Sequence, residues 1–218
     1  MLNLLNLHSV NNLFKEQIRV YSSEAALLPL LTKEAIIGLI LGDASLVRKY
    51  PNGNAYFKYA QSIKHEGYLN LVFSHLKPCC KMTSPTLGQA KLGNNTYGVL
   101  SFSTRSLPCF TELHILFYLN GIKVIPSNIA DLLTPVGLAF WSMDDGSKCS
   151  HGFHLNTNAF SLDDLNLLLD VLRVKLNLTC SLHPRGKGNR IYISATSMSA
   201  FRALVTPHFH QSMLYKLA

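Results

Sequence analysis

The sequence predicts an α+β fold made of two related halves, each running helix, strand pair, helix, strand pair, helix. Three observations carry this reading. Segments recur in the same order along the 218 residues. The stretches between apolar helices alternate with the two-residue period of strands. The chain is 48% hydrophobic, enough to build a core for one large domain or two small ones.

The first element is an N-terminal extension, residues 1–30. Met1–Pro29 has no charged segment leading into an apolar run, so it does not read as a secretory signal. It carries Lys15 and Arg19 on a stretch that suits an extension or a first helix, with a cleaved organelle peptide as the alternative. The longest apolar runs, Ile36–Leu41 and Val136–Trp141, fall far below the roughly 18–20 residues of a membrane span. No membrane partner is expected.

The repeat begins with Ile36-Ile-Gly-Leu-Ile-Leu-Gly-Asp43-Ala-Ser45, which resembles Leu138-Ala-Phe-Trp-Ser-Met-Asp-Asp145-Gly-Ser147. Each reads as a short apolar helix ending in Asp, a small residue and Ser. Phe57-Lys-Tyr-Ala-Gln-Ser62 matches Phe153-His-Leu-Asn-Thr-Asn158, and both lead into amphipathic helices, Glu66–Leu76 and Leu162–Leu172. Phe102-Ser-Thr-Arg-Ser-Leu107 then matches Ile193-Ser-Ala-Thr-Ser-Met198. The spacing between matched segments shortens along the chain, as loops of unequal length require.

Thr32 is placed to cap the first helix at Lys33-Glu34, Thr134-Pro135 to open the second motif helix, and Ser161 to cap Leu162-Asp163-Asp164. Gly121 and Pro126 punctuate the join, so the halves are residues 31–126 and 127–218, with Ser127–Leu133 as linker. In the strands, Ile191 and Ile193 oppose Arg190, Tyr192 and Ser194. Phe153 and Leu155 oppose His154, Asn156 and Asn158 in the same way, and Leu100 and Phe102 oppose Ser101 and Ser103. One apolar face under helices leaves a polar, basic face open.

Charge points that face at a polyanion. The formal net charge is +8. Between Ala44 and Thr111 the one carboxylate is Glu66, against Arg48, Lys49, Lys58, Lys64, Lys77, Lys81, Lys91 and Arg105. Beyond Asp170 there are seven Lys and Arg and no acid. An ordinary solvated face would carry Asp and Glu as freely, so nucleic acid or an anionic surface is implied, with an inert basic surface as the alternative. The five cysteines have no C-x-x-C spacing and there is no H-E-x-x-H, which argues against zinc and against a disulfide framework.

Asp43 and Asp145 stand where a helix dipole disfavours a carboxylate, and two such acids repel each other. Divalent cations between them, held by carboxylate, exposed carbonyls and phosphate, would offset both costs. Gly38 and Gly42, four apart, let two backbones approach.

These residues resemble the two motifs of a single-chain LAGLIDADG homing endonuclease, in the branch whose second motif runs Leu-Ala-x-Trp-x-Met-Asp-Asp-Gly. Ile125-Pro126, Leu133-Thr-Pro135, Leu155-Asn-Thr157 and Met213-Leu-Tyr-Lys-Leu217 are similar to that branch as well, so the likeness spans about residues 31–218. The resemblance implies two pseudo-symmetric αββαββα halves, with antiparallel saddle-shaped sheets under helices and the motif helices packed at the centre. It implies a site-specific, metal-dependent DNA endonuclease for intron homing that cuts both strands, with Mg²⁺ the expected ion.

Carried over by position, the catalytic residues are Asp43, Asp145, Lys123 and Lys216, and the acids bind metal. Ala44 and Asp144 are counted with them among the metal-site residues, with Asp144 one residue early and so expected beside the metal or exposed. DNA contacts are expected from Arg48, Lys49, Lys58, Gln61, Lys81, Arg105, Lys148, His154, Asn156, Asn158, Arg185, Lys187, Arg190 and Tyr192. Leu41 and Ala44 depart from the family pattern without removing a ligand. Phe140 and Asp144 stand where the first motif has Gly38 and Gly42, so close helix contact is expected to rely on the first helix. The alternative activity is an intron maturase that binds RNA. A DNA-binding regulator would have no need of two acids at helix ends.

Both motifs on one chain imply a monomer with no obligate protein partner. Lys58 and Ala60 correspond to His154 and Asn156, and the loop after Lys81 reads longer than its counterpart near Arg185, so the two halves should read unlike half-sites. Intron-borne members of the branch point to an organelle, mitochondrion ahead of plastid.

Overall fold

The structure, a computed structural model, describes residues 28–218. The expected extension, with Lys15 and Arg19, therefore lies almost wholly outside the described residues. The first half comprises α1 (Leu30–Leu41), β1 (Ser45–Val47), β2 (Tyr56–Ser62), α2 (Glu66–Leu76), β3 (Thr86–Leu92), β4 (Asn95–Ser103) and α3 (Pro108–Phe117). A small ribbon, β5 (Tyr118–Leu119) and β6 (Ile122–Lys123), and a helical turn, α4 (Ile129–Leu132), lead to the second half. That half comprises α5 (Pro135–Asp145), β7 (Gly146–Lys148), β8 (Phe153–Leu155), α6 (Leu162–Asp170), β9 (Cys180–Arg185), β10 (Gly188–Ile193) and α7 (Met198–Val205). A run of 3₁₀ helix, Gln211–Lys216, closes the chain.

The two halves have the same plan. Each sheet is antiparallel with four strands, in the order β1-β2-β4-β3 and β7-β8-β10-β9. Leu46 pairs with Phe57 in one, and Lys148 with Phe153 in the other. This shared register aligns Asp43 with Asp145 and Gly42 with Asp144.

At the centre α1 packs on α5. Both are apolar around most of their circumference, so both must be enclosed. Ala35 through Leu41 and Val136 through Met143 are buried. The backbones touch: a Cβ on Gly38 would lie 1.9 Å from the Gly137 carbonyl oxygen and 2.9 Å from the Trp141 nitrogen. A Cβ on Gly137 would meet the Glu34 oxygen at 3.2 Å. Close contact thus uses a glycine from each helix, where the sequence had pointed to the first helix alone. Phe140 packs instead against the rings of Tyr68 and His75, and the backbone contact falls one turn earlier, on Gly137.

Around this pair, α2 buries Tyr68, Leu69, Val72, Phe73 and Leu76 against the first sheet. The helix α6 buries Leu165, Leu168 and Leu169, then widens into a π-helical turn to Lys175. Ser161 and Asp164 form a capping box, and Thr134 accepts from the Gly137 N–H with Pro135 in the first turn. Thr32 does not cap. The helix starts a turn earlier at Pro29, whose carbonyl takes the Lys33 N–H, and this carries Thr32 into the buried interior. The first helix also stops at Leu41, two residues short of Asp43, whereas Asp145 is the last residue of its own helix.

The linker is packed: Ile129 and Leu133 are buried, and the Lys175 Nζ donates to the Ala130 and Leu133 carbonyls at 2.5 and 3.0 Å. The β3–β4 and β9–β10 hairpins both turn through two residues, each with a glycine at positive φ, Gly93 at 59° and Gly186 at 58°. Their difference in length lies in the strands, since Arg185 belongs to β9 itself. Thr86–Lys91 is exposed throughout, so the first hairpin reaches beyond the core.

Gly38→Ala should destabilise the protein by about 3 kcal/mol or more, because backbone cannot yield as a side chain can. Gly137→Ala, with its wider contacts, should cost about 1–2 kcal/mol on the same scale. Urea denaturation of the two variants tests this; equal, small losses would contradict a backbone contact at Gly38.

Candidate active site

The two motif helices deliver Asp43 and Asp145 side by side at the pseudo-twofold axis. Asp43 is exposed and Asp145 half-buried. Burial and the charge of Asp43 push the Asp145 carboxyl up to about 6, against the opposing pull of Lys123 and Lys216.

Both lysines point at helix ends rather than at carboxylates. The Lys123 Nζ donates to the carbonyls of Ile40, Ala44 and Gly42 at 2.8, 2.9 and 3.3 Å. The Lys216 Nζ donates to the Met143 carbonyl and to that of Asp144, the latter at 3.0 Å. Each ammonium therefore caps orphan carbonyls of its helix C-terminus and offsets the dipole that disfavours the neighbouring acid. Burial lowers both lysines from the ordinary range, with the three aspartates acting in the other direction. The Ala44 carbonyl, expected near metal, is thus engaged by Lys123.

Asp144 is half-buried beside Asp43, one of the two placements expected from the sequence. Its Oδ2 accepts the Asp43 N–H at 3.1 Å, and its Oδ1 accepts the hydroxyls of Tyr59 and Tyr68 at 2.6 and 2.9 Å. Desolvation first, then the charge of Asp43, raises its carboxyl well above the usual carboxylate range. Both tyrosine hydroxyls are raised in turn, chiefly by burial. Tyr59 and Tyr68 were missed in the sequence. The signal was a tyrosine on a core-facing position where phenylalanine would serve, since a buried hydroxyl needs a partner.

Gln61 belongs here rather than on the open sheet face. Phe57, Tyr59 and Gln61 share the core-facing side of β2, and the Gln61 Nε2 donates to Asp43 Oδ2 at 2.5 Å and to the Tyr59 hydroxyl at 3.2 Å.

The donors at the axis suit a hard divalent cation: two carboxylates, neither neutralised by an ion pair among the described residues, with backbone oxygens nearby. Among the described residues no group of three or more His, Cys, Asp or Glu side chains forms a ready ligand set. A cation would therefore complete its shell with water and a bound phosphate.

The open sheet faces carry the other candidates. Lys49, Lys58, Lys81 and Lys148 are exposed, as are Asn158, Arg185 and Lys187. Arg190 and Tyr192 are half-buried on the open face of β10. Arg48 and Arg105 are partly spent on backbone, Arg48 Nε on the Gly53 carbonyl at 2.8 Å and Arg105 on the Pro78 and Cys79 carbonyls. Asn156 donates to the Asp145 carbonyl at 2.9 Å and accepts from Arg185 at 3.3 Å, joining the sheet to the site.

His154, expected to be open, is only 6% exposed. Tyr192 and His183 cover it, the latter's Nδ1 lying 3.4 Å from its Nε2. Burial, then Arg190, His183 and Arg185, lower it to about 4, so it is neutral at physiological pH.

Residues 33–201 match the LAGLIDADG DNA endonuclease family. The chain is 33% identical over 190 residues to cytochrome b mRNA maturase bI2 of the yeast Debaryomyces hansenii, covering 84% of this chain and 72% of that protein. It is 29% identical over 212 residues to a probable intron-encoded endonuclease of Wickerhamomyces canadensis, covering 92% and 89%. Among solved structures it resembles the homing endonuclease I-WcaI bound to its DNA recognition sequence, with a TM-score of 0.83, 26% identity and 92% of each chain covered. No helix among the described residues is long and apolar enough to cross a membrane.

The buried imidazole gives a pH signature. A histidine held at about 4 when folded and at roughly 6.5 when unfolded stabilises the fold fully above pH 6.5. That contribution is lost as the pH falls from 6.5 toward 4. Urea midpoints at pH 7 and pH 5 should therefore fall further apart in the wild type than in His154→Gln. An equal drop in both would mean that His154 is free to ionise.

Proposed function

Since the chain belongs to the LAGLIDADG DNA endonuclease family, we propose that it is a homing endonuclease that makes a double-strand break at a long, asymmetric DNA site, for intron homing. The observation that carries this is the juxtaposition at the axis: two carboxylates on adjoining helix ends, one half-buried lysine behind each, and an open basic sheet on either side. We assign it to the single-chain branch with the Leu-Ala-x-Trp-x-Met-Asp-Asp-Gly second motif, acting as a monomer in which residues 31–126 and 127–218 supply one acid each.

The reading gives each side chain a part. Arg185, Lys187 and the exposed lysines hold phosphates and set the register of the duplex, while Tyr192 and Asn158 face the groove. Asp43 and Asp145 hold divalent metal, Mg²⁺ by this reading. The metal supplies Lewis-acid polarisation of the scissile phosphate and eases deprotonation of the attacking water. Lys123 and Lys216 fix the helix ends that carry the acids and put positive charge beside each phosphate as negative charge grows on it. Gln61 holds the Asp43 carboxylate in one orientation.

A second reading, an RNA-binding maturase, is favoured by the name of the Debaryomyces relative. The names of the relatives also support an intron-borne, organellar source, mitochondrion ahead of plastid.

Incubation with a random duplex library and Mg²⁺ should select a non-palindromic cleaved site. Asp43→Asn and Asp145→Asn should each abolish double-strand cleavage and leave affinity for the selected duplex nearly intact. Lys123→Met and Lys216→Met should slow it by roughly 10²-fold. Full activity of either aspartate variant, or cleavage of no duplex with tight binding of intron RNA, would overturn the nuclease reading.

Affinity should fall steeply with salt, with a log–log slope near −5 to −9 for about 6–10 phosphate contacts. Replacing Arg185, Lys187 and Arg190 together should flatten it by about 2–3 units. An unchanged slope would remove these residues from the phosphate contacts.

A further inference from the structure

We propose that Asp144 is a positioning residue that fastens Asp43 from across the pseudo-twofold axis, and that it makes the two active sites unequal, so that the DNA strand served by Asp43 is cut first. The inference rests on the nuclease reading above and deepens it.

Asp144 occupies the position equivalent to Gly42, and the two face each other at the axis. A Cβ on Gly42 would lie 2.6 Å from the Asp144 Cβ and 2.7 Å from its Oδ2. The space left by the glycine is the space the carboxylate fills. From there Asp144, on a second-half helix, takes every one of its side-chain hydrogen bonds from the first half: the Asp43 N–H, the Tyr59 and Tyr68 hydroxyls, and Gln61 at 3.4 Å. The tyrosine rings are 1% and 0% exposed, so the hydroxyls have little freedom to move. They fix Asp144, and Asp144 fixes the backbone that carries the Asp43 carboxylate. Gln61 then holds that carboxylate directly.

In the second half Asn156 holds the Asp145 carbonyl, but from its own half, and among the described residues no carboxylate reaches across the axis to it. Leu155 stands at the position matching Tyr59 and has no hydroxyl. Asp164 matches Tyr68, but its carboxylate is taken by Ser161 and the Ile125 N–H. Thr157 matches Gln61 and donates to the Asn189 carbonyl. Among the described residues no side-chain hydrogen bond reaches the Asp145 carboxylate. Catalysis is sensitive to placement on the scale of an ångström. A site with its acid held from two directions is therefore the faster of two sites that share one chemistry.

The experiment is single-turnover cleavage, with Mg²⁺, of a duplex that the wild type selects, carrying a different fluorophore on each strand. The wild type should cut one strand first and pass through a nicked duplex. Asp144→Asn and the double variant Tyr59→Phe/Tyr68→Phe should slow that strand by about 10–100-fold. The other strand should slow by less than about 3-fold, with affinity for the duplex kept. Fluorescence melts report folding; if Asp144→Asn fails to fold, the phenylalanine variant, which retains both rings, decides.

Equal strand rates in the wild type, or equal slowing of both strands in the variants, would overturn the proposal and leave the nuclease reading standing. If the wild type cleaves no duplex, both fall.

Discussion

The approach of two helix backbones at Gly38 and Gly137 governs the molecule. With no side chain between them, the helices α1 and α5 bring their C-termini together, and everything attached to those ends inherits the spacing. The two sheets hang from the same pair, so the separation of the acids and the separation of the docking faces are set by one contact. This contact also explains why both helices are apolar on nearly every side: each is wrapped by its partner, by its own sheet and by the helices behind.

Bringing helix ends together concentrates unfavourable electrostatics. Orphan carbonyls, the negative ends of two dipoles and three aspartates meet in one small volume. The chain answers with two half-buried lysines whose ammonium groups donate to backbone rather than to carboxylate. The carbonyls are thereby satisfied, while the exposed oxygens of Asp43 and Asp145 stay open to a cation. Asp144 takes the opposite course, half-buried and surrounded by donors. Three carboxylates brought together from two ends of the chain thus have different surroundings.

Much of this was legible in the chain. The duplicated motif gave the two-half plan, and the alternation of Ile191 and Ile193 with Arg190 and Tyr192 gave the correct faces, because both are local patterns that the fold repeats without change. What failed to show were properties that depend on two distant segments. Thr32 had the residue type of a cap, but Pro29 starts the helix earlier. Gln61 looked like a base contact because it follows Lys58 in a basic strand; its parity with Phe57 and Tyr59 turns it to the acids. His154 had the right parity for an open face and is nevertheless covered, since His183 and Tyr192 come from strands whose pairing no single segment reveals. The hydrogen-bonded seat of Asp144 needs Gly42, Tyr59 and Tyr68 together, which only the folded chain assembles.

The β3–β4 hairpin extends past the core with Thr86 through Lys91 exposed on both faces. Residues that bury nothing contribute little to folding, so substitutions along this arm cost the protein little stability. The central helices are the reverse case, where one added methyl group collides with backbone. Tolerance of substitution and integrity of the fold thus belong to different parts of the chain. The arm can therefore change its residues freely while the helix contact that places the acids stays unaltered, so variation along the chain has room to accumulate at one end of the molecule without reaching its centre.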